Sequence, residues 1–318
     1  MNISSNTKKF LKKGVQVFNH YKATLDRSDK IVILLYHRIL EEPYENPLGT
    51  IVSKENFENQ IRYLSENFKV TSLDRAFVDS SNGLKVIITF DDGYIDNYKI
   101  AFPILKKYGL PAHFFLATNY ISSGQPIWDW DLKLMLDNSN KNFDINIGLE
   151  NFDRNNYQGK DNALLWELIS RLKFFRSDER SKIIDNIKKQ LEVYELDYSE
   201  DRCMNWEEIK LMKEEGMYFG SHGSSHTSFS SLPKEALDQE IKKSLDILNK
   251  ELNLKRHFLA FPFGSKADFN DEIIKRVLSS GYERCLLNVQ GYNIKENNEF
   301  SLKRKVISND TNLKYILG

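Results

Sequence analysis

Two adjacent carboxylates at the end of an apolar run are the first sign of chemistry in this chain. Lys85-Val86-Ile87-Ile88-Thr89-Phe90 is β-branched and apolar, and Asp91-Asp92-Gly93 follows at once. Such a run predicts a buried strand of a parallel sheet. In α/β folds ligands bind beyond the carboxyl ends of these strands. Successive strand residues point to opposite faces, so both aspartates reach one pocket only if the chain turns there, and Gly93 permits the turn. Two carboxylates in one pocket repel unless a cation sits with them. The pair asks for a metal; its bland alternative is a solvated turn.

A second pattern favours the metal. Met217-Tyr218-Phe219-Gly220-Ser221 is a short strand-like run, and His222-Gly223-Ser224-Ser225-His226 follows it. Two imidazoles four residues apart can lie on one side of a turn and bind one ion. Two histidines and one carboxylate leave positions open, as a catalytic metal requires. Either pattern alone is weak; their joint occurrence at two strand ends is far stronger.

With these residues in view the chain resembles the polysaccharide deacetylases, the NodB-homology family or carbohydrate esterase family four. Thr89-Phe90-Asp91-Asp92-Gly93 matches the family's first motif and His222-Gly223-Ser224-Ser225-His226 its second. Ala260-Phe261-Pro262-Phe263-Gly264 resembles the third. The likeness runs from about residue 30 to 308. It implies a distorted (β/α) barrel, TIM-like in outline, and a metal-dependent hydrolase that removes N-acetyl groups from amino sugars. Carried over position by position, it makes Asp92, His222 and His226 ligands of a divalent ion, best zinc, at ~2.0–2.2 Å. Asp91 becomes the general base and the backbone N–H of Phe263 an oxyanion donor.

Four departures from the family pattern stand out. No histidine follows His257, so the usual C-terminal acid is missing. His37, at the end of Ile31-Val32-Ile33-Leu34-Leu35-Tyr36, is the natural substitute. An early histidine fills that role in the subgroup resembling biofilm poly-N-acetylglucosamine deacetylases. Ala260 stands where the third motif has its base-orienting arginine, and Arg304 is the candidate to supply that guanidinium from elsewhere. The Asp-x-x-Asp-Trp motif is absent, and Gly223 replaces a Ser or Thr. Trp128 and Asp129 are expected to contact the sugar, by ring stacking and hydroxyl bonding, with a lid anchor as the alternative for Trp128. Tyr36 and Pro262, beside His37 and Phe263, complete the expected substrate contacts. His113 reads as core, His257 and His20 as structural or exposed.

The elements that must position these groups follow from the hydrophobic pattern. Strands and helices alternate from Ile31 to Leu116, which argues α/β. Ser53 should cap a helix carrying Phe57, Ile61 and Leu64 on one face. From about residue 138 to 201 the rhythm breaks, and apolar residues at helical spacing predict a mainly helical insertion. Alternation then resumes to a last strand at Ser301–Val306. The expected organisation is a basic, helical segment over residues 1–28 and a barrel domain over residues 29–318.

Composition narrows the class. Lys+Arg and Asp+Glu are equal at 45 each, so no global field favours nucleic acid. Two distant cysteines, Cys203 and Cys285, give neither a disulfide framework nor a metal spacing. No apolar run suggests a leader or a membrane span, so a cytoplasmic protein is expected. Lys8, Lys9, Lys12 and Lys13 interleaved with Phe10, Leu11 and Phe18 offer peripheral contact with an anionic membrane; the alternative is a helix packed on the body. The partner is an N-acetylated carbohydrate, and the oligomeric state stays open. Two further readings share these residues: an O-acetyl esterase, and a catalytically silent carbohydrate-binding barrel.

Overall fold

The computed structural model describes residues 30–42, 49–79, 83–294 and 300–317. The basic segment 1–28, with its expected membrane contact, lies outside them. Among the described residues no helix is long and apolar enough to cross a membrane.

The apolar runs form the strands that their composition predicts. β1 (Lys30–Tyr36), β2 (Lys85–Phe90), β3 (His113–Leu116), β4 (Tyr218–Ser221), β5 (Phe258–Ala260) and β6 (Arg284–Leu287) lie side by side in that order, all parallel. The final segment splits into β7 (Ser301–Lys303), which pairs with β6, and β8 (Lys305–Val306), which pairs with β1. The last strand changes partner across Arg304, and this switch brings the sheet's two ends together as a nearly closed barrel.

Alternation sorts the strand residues into two cores. Ile31, Ile33, Ile87, Phe115, Phe258, Ala260, Leu286 and Leu302 share one buried cluster, the barrel interior. Val32, Leu34, Tyr36, Val86, Ile88, Phe90 and Phe114 belong to another, which packs under the surrounding helices. Both faces are buried, which explains the near-continuous apolar runs. α1 (Lys54–Asn67) buries Phe57, Ile61 and Leu64, and Ser53 Oγ caps it by accepting from Asn56 N at 3.3 Å. α2 (Phe102–Lys107) follows β2.

Between β3 and β4 the chain leaves the barrel rhythm. α3 (Trp128–Asp137), α4 (Asp161–Leu172) and α5 (Ser177–Leu191) form a lobe that also holds an antiparallel hairpin, Asp144–Ile147 with Glu150–Asp153. The sequence gives only helical periodicity here. The hairpin escapes because its alternation spans four residues per strand, too few to stand out. α6 (Trp206–Glu214), α7 (Lys234–Leu252) and α8 (Asp271–Ser279) then restore the alternation. Cys203 and Cys285 are buried free thiols. His113 is a core residue: its Nε2 accepts from Leu73 N at 2.8 Å, and burial pulls its pKa down to about 3.

Close strand approach sets one strict requirement. A Cβ on Gly220, in β4, would lie 2.6 Å from Phe115 Cε1 and 2.8 Å from the carbonyl oxygen of Phe258. The second neighbour is backbone and cannot swing away. Gly220→Ala is expected to cost about 1–3 kcal/mol of stability by overpacking. Urea unfolding should show a lowered midpoint with an unchanged slope.

Candidate active site

The catalytic rim begins where β2 turns. Asp92 (φ 76) and Gly93 (φ 87) both adopt left-handed backbone, which breaks the pleat so that neighbouring carboxylates serve one site. A side chain on Gly93 would strike Leu116 Cδ2 at 2.9 Å. His226 (φ 51) and Phe263 (φ 60) share this unusual region. Each such non-glycine residue costs about 1–3 kcal/mol and persists only where its surroundings enforce it.

Asp92, His222 and His226 are buried, and one donor atom from each lies within 4.8 Å of the others. Asp92 Oδ1 stands 3.4 Å from Nε2 of both His222 and His226, too far for strong hydrogen bonds. Metal bonds of ~2.0–2.1 Å at a tetrahedral angle place ligand atoms ~3.3–3.4 Å apart. Asp92 Oδ1 is moreover a buried acceptor with no partner. These residues fit a divalent cation in spacing, burial and donor type. Nδ1 of His222 meets the carbonyl of Ala260 at 2.9 Å, which turns its Nε2 toward Asp92. Burial opposes charge on Asp92, but both imidazoles beside it hold its pKa well below the usual range. Burial pulls His226 down to about 3, leaving it in the neutral form that a ligand needs.

Asp91 is held differently. Nη1 and Nη2 of Arg304 donate to its two oxygens, both at 2.7 Å, and Arg304 Nε donates to Leu287 O at 3.2 Å. Both side chains are buried. Burial alone would raise the Asp91 pKa, but Arg304 and His222 outweigh it and keep it below the ordinary value. Arg304 therefore stands in contact with the carboxylate that the third-motif arginine would orient, while the residue at that motif position, Ala260, contributes its carbonyl to His222.

His37 lines the same cavity as Asp91, Asp92, His222 and His226. Its carbonyl accepts from Asn97 Nδ2 at 2.8 Å, and its Nδ1 has no partner. Burial lowers its pKa, although Asp92 and Asp91 pull the other way. Phe263 lines the cavity too, with its ring 4.7 Å from that of His226.

Three expected sugar contacts are corrected. Tyr36 is fully buried on the helix-facing side of β1, with its hydroxyl on Gln60 Oε1 at 3.1 Å. Trp128 is only 5% exposed, donates Nε1–H to His226 O at 2.9 Å and lies under Arg180; it braces the metal loop. Asp129, by contrast, lines the cavity, with Oδ2 3.7 Å from His226 Nδ1, and burial and the Asp92 charge push its pKa up to about 7. Pro262 is buried behind Gly223 and does not line the cavity.

The comparisons with known proteins agree with this geometry. Residues 79–173 and 174–285 match the model of the polysaccharide deacetylase family. The chain belongs to that family. It is 34% identical over 139 residues to YxkH of Bacillus subtilis (strain 168), a relative assigned to the polysaccharide deacetylases; the match covers 40% of this chain and about half, 48%, of the relative. In fold it is similar to the Streptococcus pyogenes deacetylase PplD, solved with acetate, at TM-score 0.58 and 21% identity over 91% of this chain and 97% of that one. A de-N-acetylase from Aggregatibacter actinomycetemcomitans gives TM-score 0.57 and 17% identity over 91% and 98%.

This member of the polysaccharide deacetylases secures its second motif from two sides that the sequence did not signal. Glu240, on α7, accepts from the backbone N–H groups of Ser224 (2.7 Å) and Ser225 (2.6 Å) and from both serine hydroxyls. Arg180, on α5, is buried and donates to Ser225 O at 2.8 Å and Thr227 Oγ1 at 3.0 Å. Arg38, beside His37, is likewise buried between the rings of Tyr94 and Trp130, with Asp96 at 2.8 Å and Asp201 at 2.6 Å. Each of these contacts joins residues far apart in sequence, so no local pattern announces it.

The Arg304–Asp91 pair yields a stability test. Arg304→Met leaves a buried carboxylate without its partner and is expected to cost about 3–5 kcal/mol near neutral pH. Because the folded pKa of Asp91 is depressed, its contribution is fully present above the unfolded carboxylate value of ~3.9 and is lost as pH falls through the folded value. The gap between wild type and variant should therefore narrow below about pH 4, read by urea titration across pH.

Proposed function

We propose that this chain is a metal-dependent N-deacetylase acting on amino sugars of a cell-surface glycan or its precursor. The observation that carries the reading is one cavity joining the Asp92–His222–His226 group, the Arg304-paired Asp91 and His37. The de-N-acetylase name of one structural neighbour supports the N-acetyl choice.

Asp92, His222 and His226 would hold the divalent ion, zinc by donor type. Such an ion supplies Lewis acidity and a lowered pKa for water. Asp91, kept ionised by Arg304, takes the proton of the attacking water as oxygen bonds to the acetyl carbon. The backbone N–H of Phe263, which lines the cavity, would donate to the oxygen that gains charge. His37 then gives its proton to the amine nitrogen as the C–N bond breaks. The step needs the protonated imidazole, which Asp92 and Asp91 favour and burial opposes, and the proton taken up by Asp91 can be passed to His37 to supply it. The products are acetate and a free amino sugar.

Acetate release from N-acetylated and O-acetylated sugars, with and without chelator, tests the proposal. Chelator-sensitive release from the amides is expected. Release from the esters alone would replace the reading with an O-acetyl esterase, and binding without release would leave a silent barrel.

Two variants test the roles. Asp91→Asn should keep the metal, by elemental analysis, and lose about 10²–10⁴ in turnover. His37→Ala should also keep the metal, yet cut amide hydrolysis far more than ester hydrolysis, because an alkoxide leaves with less help than an amine. Equal losses on both substrates would remove His37 as the acid.

A further inference from the structure

The helical lobe does more than decorate the barrel. Trp166, Ile169, Ser170 and Lys173 all line the catalytic cavity. Their spacing is that of a single helix face, here on α4 and its C-terminal cap. The opposite face, through Leu164, Leu165 and Leu168, is buried in the core. One wall of the active site is therefore built by the insertion.

The two ends of that wall differ. Lys173 Nζ is paired with Asp268 at 2.7 Å and lies 5.0 Å from the ring of Phe263, which itself packs on His226. This end is beside the metal group. Trp166 is seven residues earlier, roughly 10 Å further along the helix axis at ~1.5 Å per residue. It is 56% exposed, whereas Trp128 and Trp130 are each 5% exposed, with their indole N–H groups bonded to His226 O and Asp201. Trp166 is the indole on this wall with a face free for a ligand.

The cavity volume sharpens the point. At about 380 Å³ it sits near the lower end of the ~300–1,000 Å³ typical of ligand pockets. The cavity runs from Asp91 to Trp166, and a ring seated at the metal-group end leaves the Trp166 end of the wall, ~10 Å along the helix from Lys173, to the next unit of a chain. We propose that Trp166 is a stacking platform for the sugar next to the one that reacts. An indole face presented to a pyranose ring offers apolar C–H contact while the hydroxyls stay in water. The inference rests on the deacetylase reading for where the reacting sugar lies.

The test compares wild type, Trp166→Ala and Trp166→Phe on N-acetylglucosamine oligomers of increasing length, the monosaccharide, and an acetylated sugar ester. Calorimetric binding of the same oligomers is measured in parallel. Half exposure of Trp166 means that thermal unfolding should barely change. Trp166→Ala should raise KM for the longer oligomers about tenfold with kcat nearly unchanged, and leave the monosaccharide and the ester untouched. Trp166→Phe should restore most of the loss. Equal kinetics for wild type and Trp166→Ala on every length would overturn the proposal, as would a uniform loss on all substrates. If wild type releases no acetate but binds longer oligomers more tightly, and Trp166→Ala abolishes that gain, the deacetylase reading fails while the platform stands. If wild type neither hydrolyses nor binds any oligomer, both fall.

Discussion

Two neighbouring carboxylates buried at one strand end need two separate sources of positive charge. Everything around the rim follows from that demand. Arg304 answers it for Asp91 with two hydrogen bonds of 2.7 Å between two buried side chains. Asp92 is left with two imidazoles at 3.4 Å and an unpartnered oxygen, a set suited to a metal. The backbone separates the two fates. Left-handed geometry at Asp92 breaks the pleat, so that both carboxylates line one cavity. Two residues adjacent in sequence thereby meet different partners, Arg304 for Asp91 and the two imidazoles for Asp92.

Much of this arrangement was readable from the residues. The strands were legible because a barrel strand is buried on both faces and so reads as a continuous apolar run. The metal group was legible because its members sit at strand ends with recognisable spacing. Arg304 was a candidate because the resemblance leaves the third-motif arginine unfilled, and strand parity supports it: Leu302 points into the barrel, as does Ile87, and two or four residues on the same faces stand Arg304 and Asp91. The same parity would have excluded Tyr36, which follows Val32 and Leu34 toward the helices. The error came from reading position along the chain without reading the face.

What stayed illegible is the support. Glu240, Arg180 and Arg38 act over long sequence separations and carry no local motif. Trp128 was misread for a related reason: its sequence neighbourhood says only that it follows a loop, while its Nε1–H bond to His226 O makes it a brace. These supports have clear work to do. His226 holds a strained backbone conformation, and Glu240 and Arg180 grip the residues just before and after it from opposite sides. A loop free to relax would give up that strain and with it the spacing of the ligands.

The partner switch of the last strand has a kinetic meaning. Asp91 and Arg304 are 213 residues apart, and their meeting requires β7 to seat on β6 and β8 on β1. Contacts of such long range form late, because much chain entropy is lost before they reward it. A barrel that lacks this strand would leave the buried Asp91 carboxylate unpaired and inclined to take up a proton. Assembly of the fold and arming of the catalyst are then the same event. The appearance of turnover during refolding would mark the closing of the sheet, not the capture of the ion.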